Sequence, residues 1–211
     1  SGTCTNVNKA LECRKEGIQT YLFDEVSVKR GQLEGLQDLL ASSCVVSTIP
    51  PLEGGKDLVL EAHANDLRRA VLAGNLKWIS YLSSTGVYGD CKGAWVSEEE
   101  PVKPDSPKTK ARADAESRWS SLYSRGGLPV HIFRLAGIYG PDRSAAVSLI
   151  KAREEMASTA VDDMTFISRI HVDDIVQALC ASINTPSPGE IYNVADDLPS
   201  TRFDVMSYAS R

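Results

Sequence analysis

Short apolar runs alternate with segments of helical periodicity along this 211-residue chain, and this alternation constrains the fold more than any other feature. The apolar runs predict strands at residues 18–23, 44–49, 77–83, 129–135 and 190–194. The helical patterns cover residues 8–16, 32–41, 56–72, 145–156, 173–185 and 201–211, and a further helix begins at residue 106. Because a helix between neighbouring strands returns the chain parallel to itself, the pattern predicts an α/β fold with a doubly wound, Rossmann-like parallel sheet.

Composition and charge exclude several classes of protein. Hydrophobic residues make up 42% of the chain and charged residues 24%, which is typical of a globular protein with a core. The net charge is −5 and no Lys/Arg cluster occurs, so we expect no nucleic-acid partner. No apolar run approaches the ~20 residues of a membrane span.

The cysteines indicate a reducing compartment. The chain has five of them, at positions 4, 13, 44, 91 and 180, with no C-x-x-C pair. This odd number and wide spacing predict free thiols rather than a disulfide framework or a zinc site. We therefore expect the cytoplasm or the plastid stroma as the location, and we expect no bound metal.

Four sequence motifs follow one another in a fixed order. Residues 82–90 read LSSTGVYGD at the end of a predicted strand, and residues 105–112 read DSPKTKAR at the start of a helix, with Ser106 as its N-cap and Pro107 as its first residue. Residues 133–141 read FRLAGIYGP and residues 168–174 read SRIHVDD. The chain thereby resembles the extended short-chain dehydrogenase/reductases of the NAD-dependent epimerase/dehydratase type. It is most similar to their atypical, sugar-epimerase-like members from bacteria and plants, in which the active-site tyrosine is not kept.

The resemblance implies catalytic roles for a few residues, and the chain departs from the family pattern at two of them. Ser84 would polarise the substrate oxygen, but Lys108 stands where the family has its acid/base tyrosine, and Arg112 where it has its lysine. The chemistry needs a group that can lose a proton near neutral pH. The alternative is that both are solvated charges, with Arg112 paired to Glu116. Tyr88 is either a substitute acid/base or a packing residue.

The carboxyl ends of the predicted strands are where an open α/β sheet binds its ligand. By resemblance, Thr5 and Asn6 would face the adenosine ribose, and Asp24 the adenine unless it is a turn residue. Thr5 is neither the acidic residue that reads a 2′-hydroxyl nor an arginine, so both NAD and NADP stay open as cofactors. The complete set of expected dinucleotide contacts is Thr3, Thr5, Asn6, Asp24, Glu25, Thr48, Ile49, Pro50, Leu82, Ser83, Ala136 and Gly137.

Two segments are expected to face the substrate, the turn after Ser84 and the region around residues 168–174. By resemblance, Thr85 and Arg169 would contact a substrate, often a nucleotide-sugar. His171 is expected to pack or form a structural hydrogen bond, and Asp173 to cap a helix. We expect one NAD(P)-binding domain over residues 1–211, with a small substrate-side lobe from about 137–172 and 190–211.

The glycines near the start of the chain do not match a dinucleotide-binding loop. Such a fold opens with a strand and a G-x-G-x-x-G turn, whereas Gly2 is the only glycine before Gly17. The resemblance therefore implies that the first strand and its glycine-rich loop are missing from these residues, and that the last helix is cut short. A fold that never had them is the alternative. If they are missing, an N-terminal segment or a protein partner would complete the sheet.

Two functional hypotheses follow from these residues. The first is an NAD(P)-dependent oxidoreductase or epimerase that acts on a small, nucleotide-sugar-like substrate. The second is a non-catalytic, nucleotide-binding structural or regulatory subunit, which the replacement of the Tyr and Lys by Lys108 and Arg112 favours.

Overall fold

The structure is a computed structural model that describes residues 1–24, 35–141, 143–144, 147 and 166–209. Glu25, the first part of the predicted helix at 32–41 and all of the predicted helix at 145–156 except Val147 lie outside the described residues. The described strands are β1 (Gly2–Cys4), β2 (Thr20–Leu22), β3 (Cys44–Ser47), β4 (Trp78–Ser84), β5 (Val130–Leu135), β6 (Gly137–Tyr139), β7 (Phe166–Ile167), β8 (Arg169–His171), β9 (Ile191–Val194) and β10 (Ser200–Thr201). The described helices are α1 (Val7–Lys15), α2 (Leu36–Ala41), α3 (Leu58–Leu72), α4 (Pro107–Gly126), α5 (Val172–Asn184) and α6 (Arg202–Ala209).

The main sheet is parallel and has the strand order β3-β4-β5-β9. Helix α3 connects β3 to β4, and α4 connects β4 to β5, so each crossover leads to the neighbouring strand. In register, Ser84 at the end of β4 lies opposite Leu135 at the end of β5, and Leu135 lies opposite Val194 of β9. The predicted α/β fold with a Rossmann-type parallel sheet is confirmed.

Side chains of the central strands alternate between two apolar layers, as the twofold period of a strand requires. Ile79 and Tyr81 of β4 pack with Leu67 of α3 and Trp119 of α4 on one face. Trp78 of β4 belongs to the opposite layer, beneath α5. The sheet is therefore covered by helices on both faces, and its ligand-binding edge is the edge formed by the strand ends.

Helix α4 begins where the sequence predicts. The Ser106 side chain accepts from the backbone N–H of Thr109, the Thr109 side chain accepts from the backbone N–H of Ser106, and Pro107 is the first helical residue. The reciprocal cap satisfies two of the N–H groups that a helix start leaves unpaired. It places the first turn of α4 against the turn that follows β4.

The pair β1–β2 is parallel but stands apart from the main sheet. In the part of the chain that the structure describes, β1 does not pair with β3, and a cavity of about 310 Å³ lies between them, lined by residues of both strands. The Ser47 hydroxyl at this cavity is buried without a hydrogen-bond partner, and Val46 is 44% exposed. The described strands thus form a β1–β2 pair and a main sheet with no backbone pairing between β1 and β3.

Two small sheets beyond the main sheet were not predicted from the sequence. Strand β6 pairs parallel with β8, and β7 pairs antiparallel with β10. The sequence of residues 137–141, GIYGP, predicts a glycine-rich turn. This prediction is wrong for Gly137–Tyr139, which form a strand. A Cβ atom at Gly137 would lie 3.4 Å from the Ser168 carbonyl oxygen, an ordinary van der Waals distance, so the pairing of β6 with β8 does not itself require glycine at this position. None of the helices in the described ranges is long and apolar enough to span a membrane.

Candidate functional site

Ser84 lies at the carboxyl end of β4 and caps the 3₁₀ turn Thr85–Tyr88. Its Oγ accepts from the Gly86 backbone N–H at 3.2 Å. Because this contact uses an acceptor position of the hydroxyl, the Ser84 O–H stays free to donate to a ligand oxygen. Ser84 and the neighbouring Thr85 are half-buried, so both remain reachable from solvent.

A buried ion pair lies directly behind this turn. Arg134 of β5 and Glu116 of α4 approach to 2.6 Å, with side chains only 5% and 6% exposed. Burial by itself lowers the pKa of the Arg134 guanidinium, but its hydrogen bonds to Glu116 and Tyr88 outweigh this and hold that pKa above its usual value. The Ser83 hydroxyl donates to Glu116 at 2.5 Å. The expected dinucleotide contact Ser83 is therefore buried, with its hydroxyl used inside the protein.

Tyr88 is part of the same buried network. Its hydroxyl accepts from Arg134 at 2.6 Å and donates to Asn193 Oδ1 at 2.8 Å. The Arg134 guanidinium also lies over the Tyr88 ring, 4.8 Å from its centroid. Tyr88 is only 4% exposed. This placement favours the packing alternative over a role as substitute acid/base.

Lys108 and Arg112 lie on the first turns of α4 but in different surroundings. Lys108 is exposed. Arg112 is half-buried and donates to the Leu82 carbonyl at 3.1 Å and to the Tyr81 hydroxyl at 3.3 Å. The alternative in which Arg112 pairs with Glu116 is wrong, because the Glu116 carboxylate pairs with Arg134 of β5.

The Tyr81 phenol stays protonated in this setting. Burial raises its pKa to about 12, although Arg112 acts in the opposite direction. Its ring is fully buried and stacks on Trp119 at 5.6 Å between centroids. Tyr81 and Arg112 therefore form a structural support under the end of β4.

The expected dinucleotide contacts fall into two groups. Around the main sheet, Thr48, Ile49 and Pro50 follow β3, and Ala136 and Gly137 follow β5. On the separate β1–β2 pair, Thr3 lies in β1, and Thr5 and Asn6 follow it. Asn6 Oδ1 already accepts from the Asn8 and Lys9 backbone N–H groups as the cap of α1, and Asp24 lies just beyond β2. Leu82 supplies the carbonyl that Arg112 binds.

Arg169 is brought to the same edge by the β6–β8 pairing, in which it lies opposite Gly137. Its carbonyl accepts from the Asp196 backbone N–H at 2.6 Å.

His171 caps α5 by accepting from the Asp173 backbone N–H, so the expectation that Asp173 is the cap was wrong. The rings of His171 and Tyr139 pack in a T-shaped arrangement with 5.2 Å between their centroids. This packing and the cap agree with the expected structural role of His171.

Three residues of the site were missed from the sequence, namely Glu116, Arg134 and Asn193. A signal existed for Arg134, since a charged residue inside the apolar run at 129–135 needs a buried partner. Nothing in the spacing identified Glu116 as that partner. Asn193 joins the network through the β5–β9 pairing, which no local pattern reveals.

The described residues that could hold a dinucleotide lie at the carboxyl edge of the main sheet, where an open α/β sheet binds its ligand. They include the Ser84 hydroxyl, the exposed Gly137 and the residues that follow β3. Residues 1–24 hold no glycine-rich turn for the pyrophosphate.

Among the described residues, no group of three or more His, Cys, Asp or Glu could hold a metal ion.

Comparison with known proteins agrees with the fold. The chain belongs to the NAD dependent epimerase/dehydratase family, whose model matches residues 61–195. Protein YeeZ of Escherichia coli (strain K12) is 29% identical over 196 residues, covering 92% of this chain and 68% of that protein.

Two solved structures show the similarity in three dimensions. A functionally unknown conserved protein from Silicibacter pomeroyi is 34% identical with a TM-score of 0.79, covering 99% of this chain and 68% of that one. The dTDP-glucose 4,6-dehydratase of Bacillus anthracis, solved in complex with NAD, is 20% identical with a TM-score of 0.73, covering 96% and 66% respectively.

The Tyr81 environment predicts a stability loss at high pH. The pKa of an unfolded tyrosine is ~10, whereas burial raises the pKa of the folded Tyr81 to about 12. Its contribution to stability is therefore fully present below the unfolded pKa and is lost as pH rises towards the folded one. Urea unfolding between these pH values should show wild type losing about 2 kcal/mol more than Tyr81→Phe. Equal losses in the two proteins would show that this phenol is not shielded by burial.

Proposed function

We propose that this protein binds NAD at the carboxyl edge of its sheet and acts as an oxidoreductase or epimerase on a nucleotide-sugar-like substrate. Membership of the NAD dependent epimerase/dehydratase family supports the class of chemistry. The observation that carries the proposal is Ser84, whose hydroxyl is oriented by the Gly86 N–H and keeps its own proton free for a ligand oxygen.

In the proposed arrangement, one side of this edge holds the cofactor and the other side holds the substrate. NAD, when bound, supplies a hydride acceptor and donor. Ser84 donates a hydrogen bond to the substrate oxygen, Thr85 lines the same turn, and Arg169 beside Gly137 holds an anionic group of the substrate. The small sheets β6–β8 and β7–β10 form the substrate-side lobe of a single domain in this proposal.

The adenosine half of NAD would lie across the ends of β1 and β2. Thr3, Thr5 and Asp24 are side chains at that end of the two strands. Asn6 would also contact the adenosine half, with its side-chain oxygen still capping α1. NADP in place of NAD is the alternative that Thr5 leaves open, since it offers neither a carboxylate nor a guanidinium to the 2′ position.

A non-catalytic nucleotide-binding role is the second candidate, and the position of Arg112 favours it. Arg112 is turned to the Leu82 carbonyl and Tyr81, and Lys108 is an exposed cation in place of a phenol. With no positioned acid/base, turnover is expected to be slower by ~10²–10⁴-fold than with one.

Kinetics with NAD and dTDP-glucose distinguish the two candidates. We expect slow wild-type turnover that Ser84→Ala lowers by a further ~10²-fold, because a donor to the reacting oxygen is lost. The double variant Lys108→Tyr with Arg112→Lys should raise the rate, and Lys110→Ala, which removes another exposed lysine of α4, should not change it.

Two outcomes would decide against parts of this proposal. NAD binding without turnover in wild type and in the double variant would favour the non-catalytic role. Brisk wild-type turnover that is abolished by Lys108→Ala would instead make Lys108 the acid/base.

We also propose that an extended polypeptide segment, from an N-terminal part of the protein or from a protein partner, lies between β1 and β3 as a parallel strand. Both strands turn an unpaired edge towards one cavity, and unpaired backbone groups are costly when they are shielded from water. The unpartnered Ser47 hydroxyl and the exposed Val46 lie along it.

A lysine at position 46 tests whether this cavity is covered. In the protein expressed from its whole coding sequence, Val46→Lys should destabilise by at least ~1 kcal/mol in urea unfolding, because the inserted strand would bury the new charge. The control is Leu72→Lys at the 87% exposed end of α3, where we expect less than ~0.5 kcal/mol. Equal effects at both positions would mean that the cavity is open to water.

A further inference from the structure

The turn that carries Ser84 is held on both sides by the same buried ion pair. Before Ser84, the Ser83 hydroxyl donates to Glu116 at 2.5 Å. After it, the Tyr88 hydroxyl accepts from Arg134 at 2.6 Å. Ser83, Tyr88, Arg134 and Glu116 are all buried. The residues flanking Ser84 therefore depend on one pair of charges, whereas Ser84 itself stays half-buried.

We propose that Tyr88, together with the Arg134–Glu116 pair, is a positioning residue that fixes the Ser84 hydroxyl through the 3₁₀ turn Thr85–Tyr88. This inference rests on the proposed function for its consequence in catalysis, but the geometry it asserts can be measured without turnover. The Tyr88 hydroxyl has no proton left for a substrate, since it donates to Asn193 while accepting from Arg134.

Both ends of this short turn are fixed. At its start the Gly86 N–H donates to Ser84 Oγ. At its end Val87 is fully buried, its carbonyl accepts from the Lys103 backbone N–H at 3.0 Å, and Tyr88 is anchored as described. Because a turn of four residues has few dihedral angles to absorb a shift, movement of Tyr88 is transmitted to the Gly86–Ser84 contact.

The anchor extends beyond the ion pair to a third strand. Asn193 Oδ1 of β9 accepts the hydrogen bond from the Tyr88 hydroxyl. The Asn193 side-chain amide donates to the Val96 carbonyl at 3.4 Å, and its backbone N–H donates to the Glu98 carboxylate at 2.7 Å. Tyr88→Phe would leave the aromatic ring over Arg134 but remove the hydroxyl that joins β5 to β9. This makes it a mild and specific perturbation of the network.

Amide hydrogen exchange at Gly86 reports the Ser84 contact directly. In Tyr88→Phe we expect the Gly86 amide to exchange about fivefold faster or more, because the turn opens locally, while amides in the centre of β4 do not change. Ser83→Ala removes the other support and should act in the same direction. The matched control is Tyr123→Phe, a 41% exposed tyrosine at the far end of α4, which should leave Gly86 exchange as in wild type.

Turnover supplies the second readout. If Tyr88 acts through Ser84, the loss of kcat caused by Ser84→Ala should be several-fold smaller in a Tyr88→Phe background than in wild type. Additive losses, or Gly86 exchange that is unchanged in Tyr88→Phe while global stability falls, would overturn the proposal and leave the network a purely stabilising one. Absence of wild-type turnover counts against the proposed function alone, since the Gly86 measurement still decides the positioning role.

Discussion

The buried contact between Arg134 and Glu116 organises the edge at which the candidate site lies. A buried charge that loses its partner is destabilising by ~3–5 kcal/mol, so neither residue can change alone without a large cost. The pair joins β5 to α4 directly, β4 through Ser83 and β9 through Tyr88 and Asn193. In this way one interaction sets the relative position of the ends of three strands, and those ends are where Ser84, Gly137 and Arg169 gather. Its contribution is more to geometry than to net stability, since buried ion pairs are often no better than apolar packing.

The other half of a dinucleotide site depends on a different constraint, the pairing of backbone groups across the sheet. The described strands form one well-paired unit from β3 to β9 and a separate pair, β1–β2. The cavity between the two units is lined by residues 47–49. Thr48 and Ile49, at the end of this segment, belong to the proposed cofactor edge. A segment inserted there would fix β1 relative to β4, and with it the adenosine side relative to Ser84. Cofactor binding and completion of the sheet are therefore linked in this account.

The sequence predicted the elements that depend on local patterns and missed those that depend on distant partners. Strand positions, the Ser106 cap and the parallel sheet followed from periodicity and capping chemistry. The short strands β6, β7, β8 and β10 are two or three residues long, too short to show a period. Arg112 was assigned to Glu116 because the two are four apart on a helix, but Glu116 is turned to a partner eighteen residues further on. Tertiary packing decides which of several possible cations pairs with a carboxylate such as Glu116.

Titration of the protein with NAD, followed by the amide chemical shifts of its backbone, tests the central claim most directly. Binding at the carboxyl edge predicts saturable shifts of Gly86, Thr48 and Gly137, which follow β4, β3 and β5, with much smaller shifts elsewhere in the main sheet. The contradicting result is either no saturable change or changes confined to the groove between α5 and β9, which Ala178 and Tyr192 line.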